Sequence, residues 1–190
     1  GMRIVHARHG RMPVVSAHVV IDAGAAAEPM TRGGLAQLAA SALHAGTRAR
    51  DGGQLAWDLE RLGVQLTTDV TWDSLEATIT PPAAQLEDAL VVLADVVRNA
   101  AFPDNEVARL REEQLADILQ RMKEPRALAN DVVGRCIYAP EVPYARPLVG
   151  STASVGAITA DDLRTFHRAR FTPAACTLVL VGDINAARAA

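Results

Sequence analysis

The stretch Gly34-Leu-Ala-Gln-Leu-Ala-Ala-Ser-Ala-Leu-His-Ala-Gly46-Thr47 decides how the rest of the chain is read. Leu35, Leu38, Ala39, Ala42 and Leu43 recur at i, i+3, i+4, i+7 and i+8, the spacing of one buried stripe on an amphipathic helix. Gly46 supplies the stop. The opposite face carries Gln37, Ala40, Ser41 and His44, so the helix pairs an apolar side made for a core with a second side free for chemistry.

Working outward, Glu28-Pro29 leads into Thr31, the expected cap of this helix, and Ala23-Gly24 breaks the strand before it. Residues 2–7 and 13–22 are apolar, β-branched runs around His9-Gly10-Arg11, which predicts two strands joined by a turn. On the far side, residues 53–62 form a second helix with Leu55, Leu59 and Leu62 inward and Gly63 as its left-handed stop. Residues 64–70 and 72–80 alternate apolar and polar side chains, the pattern of a hairpin with one wet face. Pro81-Pro82 opens a long helix with Leu86, Ala89, Leu90, Leu93 and Val97 on one side. Pro103 opens another with Val107, Leu110, Ile118 and Met122 inward, and Pro125 a third marked by Leu128, Val132, Cys136 and Ile137. A Pro-rich loop runs to Pro147 and Gly150. Thr159 and Asp162 have capping-box spacing ahead of Leu163, Phe166 and Phe171, and residues 175–182 read as a buried strand.

Composition bounds the function classes. A chain of 190 residues is long enough to bury a sizeable core as one domain. Nineteen basic and twenty-two acidic side chains leave a net charge of −3, which argues against a nucleic-acid partner with its need for a basic face. No apolar run has the length of a bilayer span. Cys136 and Cys176 are expected as buried free thiols rather than a disulfide. No secretory signal pattern opens the chain. A Gly ahead of Met2 reads as a cloning remnant on a piece of something longer, which leaves the compartment open, cytoplasmic or periplasmic.

With its Gly-Gly entry and Gly-Thr exit, the helix resembles the H-x-x-E-H helix of the pitrilysin/insulinase zinc metallopeptidases, relatives of the mitochondrial processing peptidases. Leu59-Glu-Arg-Leu-Gly63, Leu93-Ala-Asp-Val-Val97, Ala101-Phe-Pro-Asp-Asn-Glu106, Pro143-Tyr-Ala-Arg-Pro147 with Gly150, and Val181-Gly-Asp183 resemble further landmarks in the family's order. The resemblance implies an α+β fold, an antiparallel sheet with helices packed on one face, as a processing-peptidase-like half-domain. Residues 1–185 would be one N-terminal-type domain and 186–190 the start of a linker to a second.

The motif itself is gone. Its histidine, glutamate and histidine positions read Gln37, Ala40 and Ser41, and an ungapped count puts the third ligand, a Glu in the family, at Asp117. Two imidazoles one turn apart grip zinc while the glutamate takes a proton from its water. Gln and Ser are weak neutral oxygen donors, and Ala accepts nothing. No catalytic residue, metal ligand or cofactor is therefore expected here, with zinc confined to a partner subunit or half.

A displaced site at His44 and Asp117 is the competing thought, with His44 expected instead as a packed or half-exposed residue. His6, His9 and His18 lack ligand spacing, and His167 stands among Arg164, Arg168 and Arg170, which repel a cation. Trp72-Asp73 in the hairpin adds to the likeness to bacterial non-catalytic partners. The family's non-catalytic halves can offer an Arg and a Tyr to substrate; Tyr144 and Arg146 are candidate substitutes, against plain packing of a surface loop.

The resemblance thus implies a non-catalytic domain that helps enclose a peptide substrate beside an active H-x-x-E-H subunit or half. The alternatives are a scaffold or interaction domain outside proteolysis and an active metallopeptidase with relocated ligands. A surface left bare by an absent second domain favours self-association.

Overall fold

A computed structural model describes residues 1–189. Five strands form one sheet in the order β1-β5-β2-β4-β3. They are β1 (Arg3–Arg8), β2 (Val15–Ile21), β3 (Thr67–Val70), β4 (Leu75–Ile79) and β5 (Cys176–Gly182). Eight helices accompany them: α1 (Leu35–Ala42), α2 (Gly52–Arg61), α3 (Leu86–Asn99), α4 (Asp104–Arg121), α5 (Pro125–Ile137), α6 (Thr152–Gly156), α7 (Ala160–Arg170) and α8 (Ala186–Ala189). The α+β reading holds. Of the expected linker 186–190, Ala190 lies outside the described residues, and the four before it make the turn of α8.

Alternation with period two decides which face of the sheet is covered. Val15, Ala17, Val19 and Ile21 of β2, Leu75, Ala77 and Ile79 of β4, and Leu178 and Leu180 of β5 are all buried. Their neighbours Ser16, His18, Val20, Glu76, Thr78 and Val179 are only half-buried on the other side. Helix α1 packs on the covered face against β3 and β4 and is flanked by α4 and α7.

The two opening strands are not partners. Both flank β5: β2 runs antiparallel to it, with Ala17 opposite Leu180, and β1 runs parallel to it, with Val5 opposite Val179. The local pattern identified the strands and the turn, but pairing was decided by a buried strand about 160 residues away, which has two apolar neighbours to gain by sitting between them. The sheet is otherwise antiparallel.

Thr31 does not cap α1. It lies in a short 3-10 turn, Met30–Arg32, and the N-cap is Gly34 at φ +91°, with no side chain of its own to offer. The carboxylate of Glu28 does the capping, accepting from the N–H of Ala36 at 2.6 Å and of Gly34 at 3.1 Å. Only glycine fits position 34, since a Cβ there would stand 2.6 Å from Val149 O and 2.8 Å from Gln114 Nε2.

Helix α5 forms as expected from Pro125, yet buries none of its residues. Leu128 and Val132 are 41% exposed and Ile137 67%, and Cys136 is exposed, so only Cys176 of the two thiols is buried. Met122, expected inward, is 59% exposed at the end of α4. The periodicity sets the helix, but the turn at Pro143–Ala145 and helix α4, which pack beside α5, leave its apolar stripe partly open.

Candidate functional site

The polar face of α1 opens onto α4. Gln37 and Ser41 from α1 and Glu113, Gln114, Asp117 and Arg121 from α4 wall a cavity of about 330 Å³. Gln37, Ser41 and Asp117, chosen from sequence, therefore share one hollow. Ala40 does not line it: it is 1% exposed, turned into the core. A neighbouring hollow of about 520 Å³ continues past Ser41 to His44, Asn105, Glu106 and Arg109.

Gln114 holds this wall in place. Its Nε2 donates to Gly34 O and to Val149 O, both at 3.0 Å, tying α4 to the start of α1 and to the loop before α6. Sequence reading passed over Gln114, although a polar residue midway between Leu110 and Ile118, on the buried stripe of α4, was the available signal.

Glu28, the other residue missed, has a fully covered side chain. Burial pushes its carboxyl up to about 7, against the pull of the Ala36 N–H, the Arg146 guanidinium and the Gly34 N–H. Arg146 meets it at 3.1 Å and donates also to Ala25 O at 2.6 Å and Pro29 O at 3.2 Å. Tyr144 packs at 5.2 Å from the Trp72 ring and donates to Asp73 at 2.6 Å. Both loop residues are thus committed to holding the 143–147 loop against the α1 entry and the β3–β4 hairpin.

At the other end of α1, Gly46 turns at φ +118° and buries Thr47, whose hydroxyl donates to Asp95 at 2.7 Å. Arg50 bridges Asp95 and Asp58 at 2.5 and 2.8 Å. Burial alone would raise the Asp95 carboxyl, but hydrogen bonds from Asn99, Thr47 and Arg50 outweigh it and hold it below the usual range.

Three of the five histidines have partners outside this cavity. His44 is exposed and lies 3.2 Å from Thr68 Oγ1; His18 sits between Ser16 and Thr78 on the open side of the sheet. His167 reaches Val97 O at 2.8 Å, between the rings of Phe102 and Phe171. Among the described residues no three His, Cys, Asp or Glu side chains converge closely enough to hold a metal ion. The donor set at the three motif positions, the Asp117 carboxylate with the Gln37 amide and the Ser41 hydroxyl, does not fit zinc. Nor, among the described residues, is Ser41 hydrogen-bonded to a base that could make it a nucleophile.

Comparisons with known proteins bear on the fold that frames this cavity. Residues 3–148 match the profile of Insulinase (Peptidase family M16), and residues 157–190 that of the Peptidase M16 inactive domain. The chain belongs to the M16 peptidase family. An uncharacterized zinc protease of Mycobacterium leprae is 25% identical over 185 residues, 97% of this chain and 41% of the relative. A non-peptidase homolog of Helicobacter pylori is 23% identical over 182 residues, 96% of this chain and 42% of its own length. Among solved structures, the peptidase M16 inactive domain from Pseudomonas fluorescens superposes with a TM-score of 0.92 at 25% identity, covering 98% of this chain and 45% of that one. The M16 chain thus spans about two fifths of the curated relatives it matches. Its two profile matches meet near α6, yet β5, in the second, lies between β1 and β2 of the first. No helix among the described residues is long and apolar enough to cross a membrane.

Proposed function

We propose that this M16 chain is a non-catalytic wall of a peptide-enclosing chamber, working beside an active H-x-x-E-H subunit or half that carries the zinc. The single observation behind this reading is the cavity between α1 and α4. The helix, its glycine ends and its facing helix are all in place, while the positions for two imidazoles hold Gln37 and Ser41 and the third holds Asp117. Likeness to relatives named inactive or non-peptidase supports it. In this reading residues 1–185 act as one N-terminal-type domain, 186–190 begin the passage to a second, and the peptide is held between halves.

The test is co-expression with an H-x-x-E-H relative encoded beside it. The expected outcome is co-purification and raised peptidase activity, with no stoichiometric zinc and no chelator-sensitive cleavage by the chain alone. One tightly held zinc per chain, or intrinsic cleavage abolished by chelation, would overturn the reading. Co-purification without any effect on activity would assign the chain to scaffolding instead.

A further inference from the structure

We propose that the hollow between α3 and the start of β5 is a binding site for an unbranched aliphatic monocarboxylate, its chain laid on the apolar lining and its carboxylate on Arg98. The hollow measures about 580 Å³, inside the range of about 300–1,000 Å³ that small-molecule sites occupy. It shares no lining residue with the cavity between α1 and α4, so it stands independently of the chamber reading. Leu93 and Val97 of α3 and Val19 and Leu178 of the sheet line it, each at most 9% exposed, and Leu90 and Phe171 join them half-buried. Ile4, beside Leu178 in register, is 44% exposed and carries the apolar surface on to the edge strand. Hydrocarbon laid along such a surface takes apolar area out of water on both sides of the contact.

Charge selects the head group. Among the described residues Arg98 is the one charged side chain that lines the hollow; it is exposed and makes no hydrogen bond or ion pair there or elsewhere. Burial pushes the Cys176 thiol up, which keeps the lining beneath neutral. A guanidinium meets a carboxylate with two parallel N–H bonds, and one cation matches one negative charge. The carbonyl end of α3 is negative and counts the other way. Two of its last carbonyls already accept hydrogen bonds, Val97 O from His167 at 2.8 Å and Asn99 O from the Arg48 N–H at 2.9 Å, which leaves less of that end bare.

The chain, isotopically labelled at its Leu and Val methyl groups, is titrated at constant ionic strength with sodium octanoate, sodium decanoate, octan-1-ol and octyltrimethylammonium chloride, each below its micelle-forming concentration. Both carboxylates are expected to shift the methyl resonances of Leu90, Leu93, Val97 and Leu178 saturably, with decanoate tighter by about fourfold for each added methylene, the equivalent of about 0.8 kcal/mol. Arg98→Gln, a change at an exposed position, should weaken octanoate at least fivefold and leave octan-1-ol as it was. Ala94→Trp, at an exposed position on the rim, should abolish binding of both. Shifts that fail to saturate, or that are as large at Leu128 and Val132 of α5, mean indiscriminate adsorption and overturn the proposal. So does octanoate affinity unchanged in Arg98→Gln, octyltrimethylammonium bound as tightly as octanoate, or binding that survives Ala94→Trp.

Discussion

Replacing Glu28 by Gln keeps the shape of the side chain and takes away one acceptor from a buried cluster of donors. The carboxyl titrates near 4.5 in the unfolded chain and near 7 in the fold. Between those values the unfolded chain has released a proton that the folded chain still holds. The stability Glu28 contributes is therefore complete below about pH 4.5 and lost as pH rises through 7, by something on the order of 3 kcal/mol at about 1.4 kcal/mol per unit. The stability difference between the native chain and Glu28→Gln, from urea denaturation, should fall steadily across that window; a flat or rising difference would contradict the assignment. Arg146→Ala removes the cation beside the same carboxylate. It should cost about 3 kcal/mol at pH 8, where Glu28 must stay charged, and distinctly less at pH 5, where the carboxyl can take a proton instead. Arg146 was legible as a residue of the Pro-rich loop, packing of that loop being one of its two readings, but the role of Glu28 was not. Glu28 stands ahead of a proline in an alanine-rich run, and its partners come from the α1 entry and from a loop 118 residues on.

For the elements, the cavity offers a constructive test. Zinc needs ligands, not the proton acceptor, so Gln37→His, Ser41→His and Asp117→Glu suffice, and the buried Ala40 is left alone. The triple variant should bind zinc, measured by metal analysis after gel filtration. A folded variant that binds none would mean that α1 and α4 do not present these positions to one point. Helix α5 makes the opposite kind of prediction. Ile137→Ser should shift stability by no more than about 0.5 kcal/mol, because a side chain that is 67% exposed leaves little water behind on folding. A loss of about 2 kcal/mol for this variant in thermal melts would mean that the outer face of α5 is covered in solution. Six of the eight helices and the glycine stops at Gly46 and Gly63 could be read from sequence because 3.6-residue periodicity and backbone handedness are local. What covers a stripe, and which strands are neighbours, depends on the rest of the molecule. Met122 and Cys136 therefore have the right spacing and the wrong surroundings, and Thr31 the right chemistry for a cap whose place Glu28 already holds.

At the scale of the whole molecule, the border between the two profile matches is not a border in the fold. A chain ended at residue 156 keeps α1, α4 and the cavity lining, but loses β5 from the middle of the sheet, along with Leu178 and Leu180. Such a fragment should show no cooperative unfolding transition and should bind hydrophobic dyes, whereas a compact, cooperatively melting fragment would show that the sheet tolerates the gap. The central place of β5 also sets a schedule for synthesis. Because β1 has β5 as its strand neighbour and β2 needs β5 on one side, the nascent polypeptide cannot complete its sheet until a segment about 160 residues further on has cleared the ribosome, and the apolar side chains of the first strands stay within reach of chaperones until then.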